Sequence, residues 1–213
     1  MNGASFSLVG VVAKLGIMGQ TISALIFILS IVAVYVFVER MIVLKSKNGD
    51  RTLFQKINEM MSEGNFQSAK ELCIRHNSPL SRVLYKGLLR IGMPTKEIQS
   101  SMEKEIELEI FKMEKGEDLL SLIAKMAPML GFIGTIAGVI QIFYTINTTG
   151  DYNIESISGG LYVKMITSAL GLSLGILAYF FYFLVNKRIN KNIYELEKGS
   201  ISFIDSITVP VNQ

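Results

Sequence analysis

Apolar and polar positions follow three patterns along this chain, and each predicts its own kind of helix. In the first pattern charge is missing altogether. Leu15 to Val38, Met126 to Gly150 and Met165 to Asn186 contain no Asp, Glu, Lys, Arg or His. Each is longer than the roughly 20 residues that cross about 30 Å of hydrocarbon as a helix. The second pattern is a single apolar stripe with charges opposite it. Ile98, Met102, Ile106, Ile110 and Met113 recur at near-helical spacing on a segment rich in Glu and Lys. The third pattern is short and broken: Leu53-Ile57-Met60, Ala69-Leu72 and Leu80 to Ile91, punctuated at Gly64-Asn65, Asn77-Ser78-Pro79 and Gly92-Met93-Pro94.

These patterns predict an all-α membrane protein with three transmembrane helices, the second and third extended into the cytoplasm as a helical bundle. The expected segments are 1–16 (an outer, interfacial piece, with Ser5 to Gly16 as a short amphipathic helix), 17–38 (first span) and 39–125 (a helical loop). After these come 126–146 (second span), 147–160 (a short outer loop), 161–186 (third span) and 187–213 (an inner helix and tail). Thr95 is expected to cap a helix from about Lys96 to Ile146, roughly 75 Å long. Pro128 is expected to kink it slightly, and Gly116 to weaken it only mildly. Beyond the third span Ile189, Ile193, Leu196, Ser200, Phe203 and Ile207 keep one face apolar, with Pro210 as the stop. That stripe has to be buried, and self-association is the simple expectation.

Charge orients the spans. Arg40 to Lys125 holds fifteen Lys and Arg, the segment after Asn186 holds four, and Asn147 to Gly160 holds none. Cationic loops stay in the cytoplasm, so the N-terminus and the second loop are placed outside and the C-terminus inside. A mean hydropathy of +0.40 excludes an ordinary soluble domain. The first span is too long, and too far from the start, for a signal-peptide core. The net charge of +3 is mostly this topogenic bias and gives no reason to invoke nucleic acid; membrane lipids are expected partners through the spans. Cys73 has no second cysteine, and with His76 it makes only half of a metal site.

Within the spans the candidate chemistry is hydroxyl chemistry. Gly131, Thr135, Gly138 and Ile142 share one helical face, with Gly134 beside it. Lys164, Ser168, Gly171 and Gly175 share another, followed by Ala178. Two readings of these faces stand. Small residues let helices approach closely, the hydroxyls bonding to the preceding turn. Alternatively, the hydroxyls line a polar pathway. A proton route usually needs a titratable group midway, and neither span supplies one, so a partner would have to bring the carboxylate. Lys164 is expected to snorkel outward or pair with a partner. Glu39 and Arg40 are expected to anchor the inner end of the first span, with Arg40 tying it to the loop helices. No catalytic, cofactor or metal constellation is expected, and the chain is not read as an enzyme.

At these residues the chain resembles the MotA/TolQ/ExbB proton-channel family, and most of all its ExbB members. The resemblance rests on LGIMGQTISALIFILSIVAVYVFVERMIVL, EGNFQSAKELCIRHNSPLSRVLYKGL, the more specific APMLGFIGTIAGVIQIF, and ISGGLYVKMITSALGLSLGILAY. It implies the channel subunit of an inner-membrane, proton-motive-force motor that energises TonB-dependent outer-membrane transport. It further implies a homopentamer, an ExbD-like single-span partner supplying an intramembrane Asp, and a TonB-like protein. By the same resemblance Thr135 and Ser168 correspond to pore hydroxyls, Ser168 standing where a threonine is usual. Val163 stands where close relatives can carry a glutamate, and the third span lacks the usual proline near Leu177. A TolQ-like subunit, a wall-anchored stator and a non-conducting scaffold are the alternatives.

Overall fold

The computed structural model describes residues 17–44, 50–150 and 154–208. Among these every regular element is a helix. They are α1 (Ile17–Val43), α2 (Asp50–Ser62), α3 (Phe66–His76), α4 (Pro79–Leu88), α5 (Thr95–Glu114), α6 (Glu117–Thr149) and α7 (Ile154–Thr208). Three of them, α1, α6 and α7, are long and apolar enough to cross a membrane. The expected N-terminal amphipathic helix and the Pro210 stop lie outside the described residues. The chain divides into two compact units, Met1–Arg40 with Gly116–Leu184 and Met41–Lys115 with Val185–Gln213.

The first unit contains the three spans. Most of its surface faces outward: Phe132, Ile133, Ile136, Ile140 and Phe143 of α6 are all exposed, so packing within the chain uses one narrow stripe. That stripe is Ala33 and Val36 of α1, Leu120, Ile123 and Ala127 of α6, and Leu174 and Ala178 of α7. Phe37 and Phe181 stack with ring centroids 4.2 Å apart, joining α1 to α7. Helix α6 runs through Pro128 unbroken, and helix covers much of the expected 147–160 loop, ending at Thr149 and resuming at Ile154.

The expected 96–146 helix does not form as one piece. It breaks at Lys115-Gly116, where Gly116 takes a left-handed φ of 88°. Only glycine reaches that conformation without strain, so the residue read as a mild weakness is the stop. The Arg40 guanidinium presses on the same spot, with Nε 3.0 Å from where a Cβ at Gly116 would lie. Thr95 does not act as a cap either. Helix α5 starts there without a side-chain cap bond, and the Pro94 carbonyl accepts from the Glu97 and Ile98 amides.

The second unit is a small helical core of the kind found in water. Asn65 caps α3 through Ser68, and Asn77 ends it in a left-handed turn. Ser78 and Ser81 form a reciprocal capping box around Pro79, which sets the start of α4. Helix α4 stops at Leu88, short of the expected Ile91, in a turn through Gly92. Leu53, Ile57, Val83, Leu84, Leu88, Ile98 and Met102 form the core with Ile189, Leu196 and Phe203 of α7. Most of the apolar stripe of α7 is therefore covered by the chain's own loop helices: Ile189, Leu196, Ser200 and Phe203 are buried, while Ile193 and Ile207 stay half-buried. The contacts are specific: the Phe203 ring fills the space over Gly87, and Leu80 lies on Gly199.

Helix α5 buries a face slightly different from the one its apolar residues outline. Ile98, Met102, Ile106 and Met113 are buried, but so are Glu105 and Glu109, while Ile110 is only partly covered. Each buried carboxylate has a cation. Arg82 donates to both Glu109 oxygens at 2.9 and 2.6 Å, Lys112 reaches the same group at 2.6 Å, and Lys86 lies 3.6 Å from Glu105. Burial alone would raise the Glu109 pKa, but the hydrogen bonds from Arg82 and Lys112 outweigh it and hold it below the usual carboxylate range. Cys73 is buried in α3, which pushes its thiol up to about 12 and removes thiolate chemistry at neutral pH.

Candidate functional site

The two small-residue faces meet each other inside one chain. Helices α6 and α7 run antiparallel along a seam, and at each level a glycine on one helix receives what the other projects. A Cβ built on Gly131 would lie 3.0 Å from the Ser168 carbonyl and 3.2 Å from the Gly171 Cα. On Gly171 it would lie 2.6 Å from the Ala127 carbonyl. Here backbone touches backbone, which no side chain permits. Above this crossing Gly134 faces the Thr167 methyl and Ile22, and Gly138 receives the stem of Lys164. Below it Gly175 faces the Pro128 ring and the Ala124 carbonyl.

Thr135 sits in the middle of the seam, half-buried. Its hydroxyl donates to the Gly131 carbonyl of its own helix at 3.2 Å and lies 3.4 Å from the Lys164 carbonyl of α7. Both bonds are long, so the hydroxyl is held loosely between two helices. Ser168 is half-buried one turn away and contributes its backbone to the Gly131 contact. Lys164 is only 9% exposed, its aliphatic stem folded across Gly138. Glu39 and Arg40 pair at 3.1 Å, but Arg40 is itself buried, against Gly116. The structure thus gathers Thr135, Ser168, Lys164 and the five glycines on one seam, with Glu39 and Arg40 at the other end of α1.

One residue of this seam was not assigned to either face in the sequence. Thr167 is 1% exposed, and its Oγ1 has no hydrogen-bond partner. It lies three residues after Lys164 and four before Gly171, on the same helical stripe, so the spacing contained the signal. Its neighbour Ser168 had taken the place.

Residues 75–198 match the MotA/TolQ/ExbB proton channel family. The chain belongs to this family. Among its relatives is a biopolymer transport protein ExbB homolog of Methanothermobacter thermautotrophicus, 30% identical over 66% of this chain and 50% of that protein. The biopolymer transport protein exbB1 of Vibrio cholerae is 27% identical over 71% of this chain and 68% of its own length. The Tol-Pal system protein TolQ of Haemophilus influenzae is 24% identical over 62% and 52%. The chain thus spans about half the length of the Methanothermobacter and Haemophilus relatives. The family match covers α4 to α6 and most of α7, so it includes the whole glycine seam, Thr135 and Ser168.

The members of the seam offer hydroxyls, carbonyls and one lysine. Such a set can order water or bind a carboxylate brought from outside. It has no carboxylate of its own, because α6 beyond Asp118 and α7 from Met165 to Asn186 contain none.

Proposed function

We propose that this chain is the channel-forming subunit of an ion-driven motor in the bacterial inner membrane, energising TonB-dependent transport across the outer membrane. The observation that carries the reading is the seam itself. A hydroxyl, Thr135, is held loosely between two spans that lack any titratable carboxylate, in a chain of the proton-channel family. A proton route of this composition needs a second protein. The expected partner is an ExbD-like single-span protein whose intramembrane aspartate stands beside Thr135 and Ser168, within a homopentamer of this chain, with a TonB-like protein carrying the output. The N-terminus is placed in the periplasm and the C-terminus in the cytoplasm by the cation distribution. In this role the chain is a transport subunit and catalyses no covalent chemistry.

The TolQ relative favours a second reading, a Tol-type subunit in envelope maintenance. Purification from native membranes in mild detergent, with mass spectrometry of what accompanies the chain, separates the two. An ExbD-like protein with a TonB-like protein is the expected result. A partner carrying a peptidoglycan-binding domain would move the chain to the Tol-type or stator role. Recovery of this chain alone from an intact complex would overturn the motor reading. In the assembled complex, Thr135→Val and Ser168→Ala are expected to preserve assembly and abolish uptake, whereas a scaffold would tolerate both.

A further inference from the structure

Helix α5 carries three faces, and its own unit covers only one of them. At 3.6 residues per turn these faces lie about 120° apart. Ile98, Met102, Glu105 and Glu109 are buried in the core. On the second face Glu103, Ile106, Glu107 and Ile110 form one wall of an open groove of about 580 Å³. Glu197, Ile201, Ile204 and Asp205 of α7 form the other wall. The third face is a stripe of Lys104, Leu108 and Phe111, continued by Lys115 just past the helix end.

Both outer faces are unbalanced in water. Glu103, Glu107, Glu197 and Asp205 are exposed on the groove walls. Among the described residues none of the four pairs with a lysine or arginine, unlike Glu105 and Glu109 of the same helix. Glu103 and Glu107 are also four residues apart, a spacing at which like charges repel. Apolar surface lies open beside them, with Ile201 63% exposed. On the stripe Phe111 is 77% and Leu108 55% exposed, between the exposed Lys104 and Lys115. Open apolar surface rimmed by charge marks an interaction site.

The two faces complement each other, acid with apolar on one and base with apolar on the other. Opposite potentials of this kind select a partner and fix its orientation. One copy cannot join them, because both belong to α5 and point in different directions. Contact between two different faces of identical chains is head-to-tail, and it closes into a ring when the rotation permits. We infer that the Lys104–Lys115 stripe of one copy seats in the Glu103–Asp205 groove of the next. The inference rests on the homopentamer of the function proposed above and adds the surfaces that join its members outside the spans.

The test uses the full chain in its native membrane. Two differently tagged copies are co-expressed, one with Leu108→Cys and the other with Ile201→Cys, and treated with a flexible bis-maleimide. Native Cys73 is buried and gives little background. The expected product is a dimer carrying both tags, in large excess over any dimer from either variant alone. Glu103→Lys with Glu107→Lys in both copies is expected to lower its yield several-fold, as is Lys104→Glu with Lys115→Glu. Combining the two reversals is expected to restore it, which a damaged fold could not imitate. An oligomeric complex without the two-tag product, a Leu108→Cys dimer with itself, or reversals that fail to rescue each other would overturn the inference. So would cross-linking of Ile201→Cys to a different polypeptide, or quenching of a fluorophore at Leu108→Cys by labelled lipid. Accompanying partners and uptake are scored separately. A working complex that lacks the product refutes these surfaces alone, whereas a monomeric chain refutes the homopentamer as well.

Discussion

The two units are built from the same helical material by opposite means. In the three-span unit, helices are brought together by what is missing: Gly131 and Gly171 place backbone against backbone, and Gly138 leaves room for a lysine stem. In the second unit they are held by what is present, large side chains such as Phe203, Ile57 and Met102 buried almost completely, and carboxylates neutralised by named cations. The difference follows from the solvent. Lipid is as apolar as leucine, so burying leucine between spans gains little, and close van der Waals approach has to serve instead. Water makes the same burial worth about 25 cal/mol per Å².

Substitutions that give one unit the other's solution should break this comparison. The largest effect is expected from Gly171→Leu, because its Cβ alone would meet the Ala127 carbonyl at 2.6 Å. The seam would open, and no folded protein should be recovered by size exclusion from detergent. In the second unit, Phe203→Ala should cost about 3–5 kcal/mol by the usual cavity argument, read as a lowered melting temperature. The same truncation at Phe183, exposed in the span region of α7, should leave the isolated chain's melting temperature unchanged, which sharpens the contrast.

Glu109→Ala should cost about 2 kcal/mol, since Arg82 and Lys112 lose their charged hydrogen-bond partner but are themselves partly solvated. The pH dependence has a definite sign. The folded pKa of Glu109 lies below its unfolded value, so its stabilisation is complete above the unfolded pKa and is lost as pH falls through the lower folded one. Acid melts of wild type and Glu109→Gln should therefore converge at low pH. If they remain parallel, the ion pair contributes nothing. The smallest effect, about 1–2 kcal/mol, is expected for Gly116→Ala, where a methyl must adopt φ of 88° next to Arg40. Circular dichroism that reports more helix in this variant would indicate that α5 and α6 had fused.

Much of this molecule was legible in its amino-acid order. Uncharged runs longer than a bilayer determined three spans, and the spacing of Gly131, Thr135, Gly138, Ser168, Gly171 and Gly175 determined which faces are small and polar. Both are one-dimensional signals, length and period, that a helix converts directly into geometry. The tertiary structure decided what required a third dimension. It showed that the two glycine faces meet each other within one chain, and that most of α7's apolar stripe is covered by α4 and α5. It also showed that Glu105 and Glu109 turn inward because Lys86, Arg82 and Lys112 meet them. Gly116 ends a helix because Arg40 and a left-handed turn coincide there, and no local propensity carries that information. Thr167 was visible as a hydroxyl, but only the packing of three helices around it revealed that its oxygen is left without a partner.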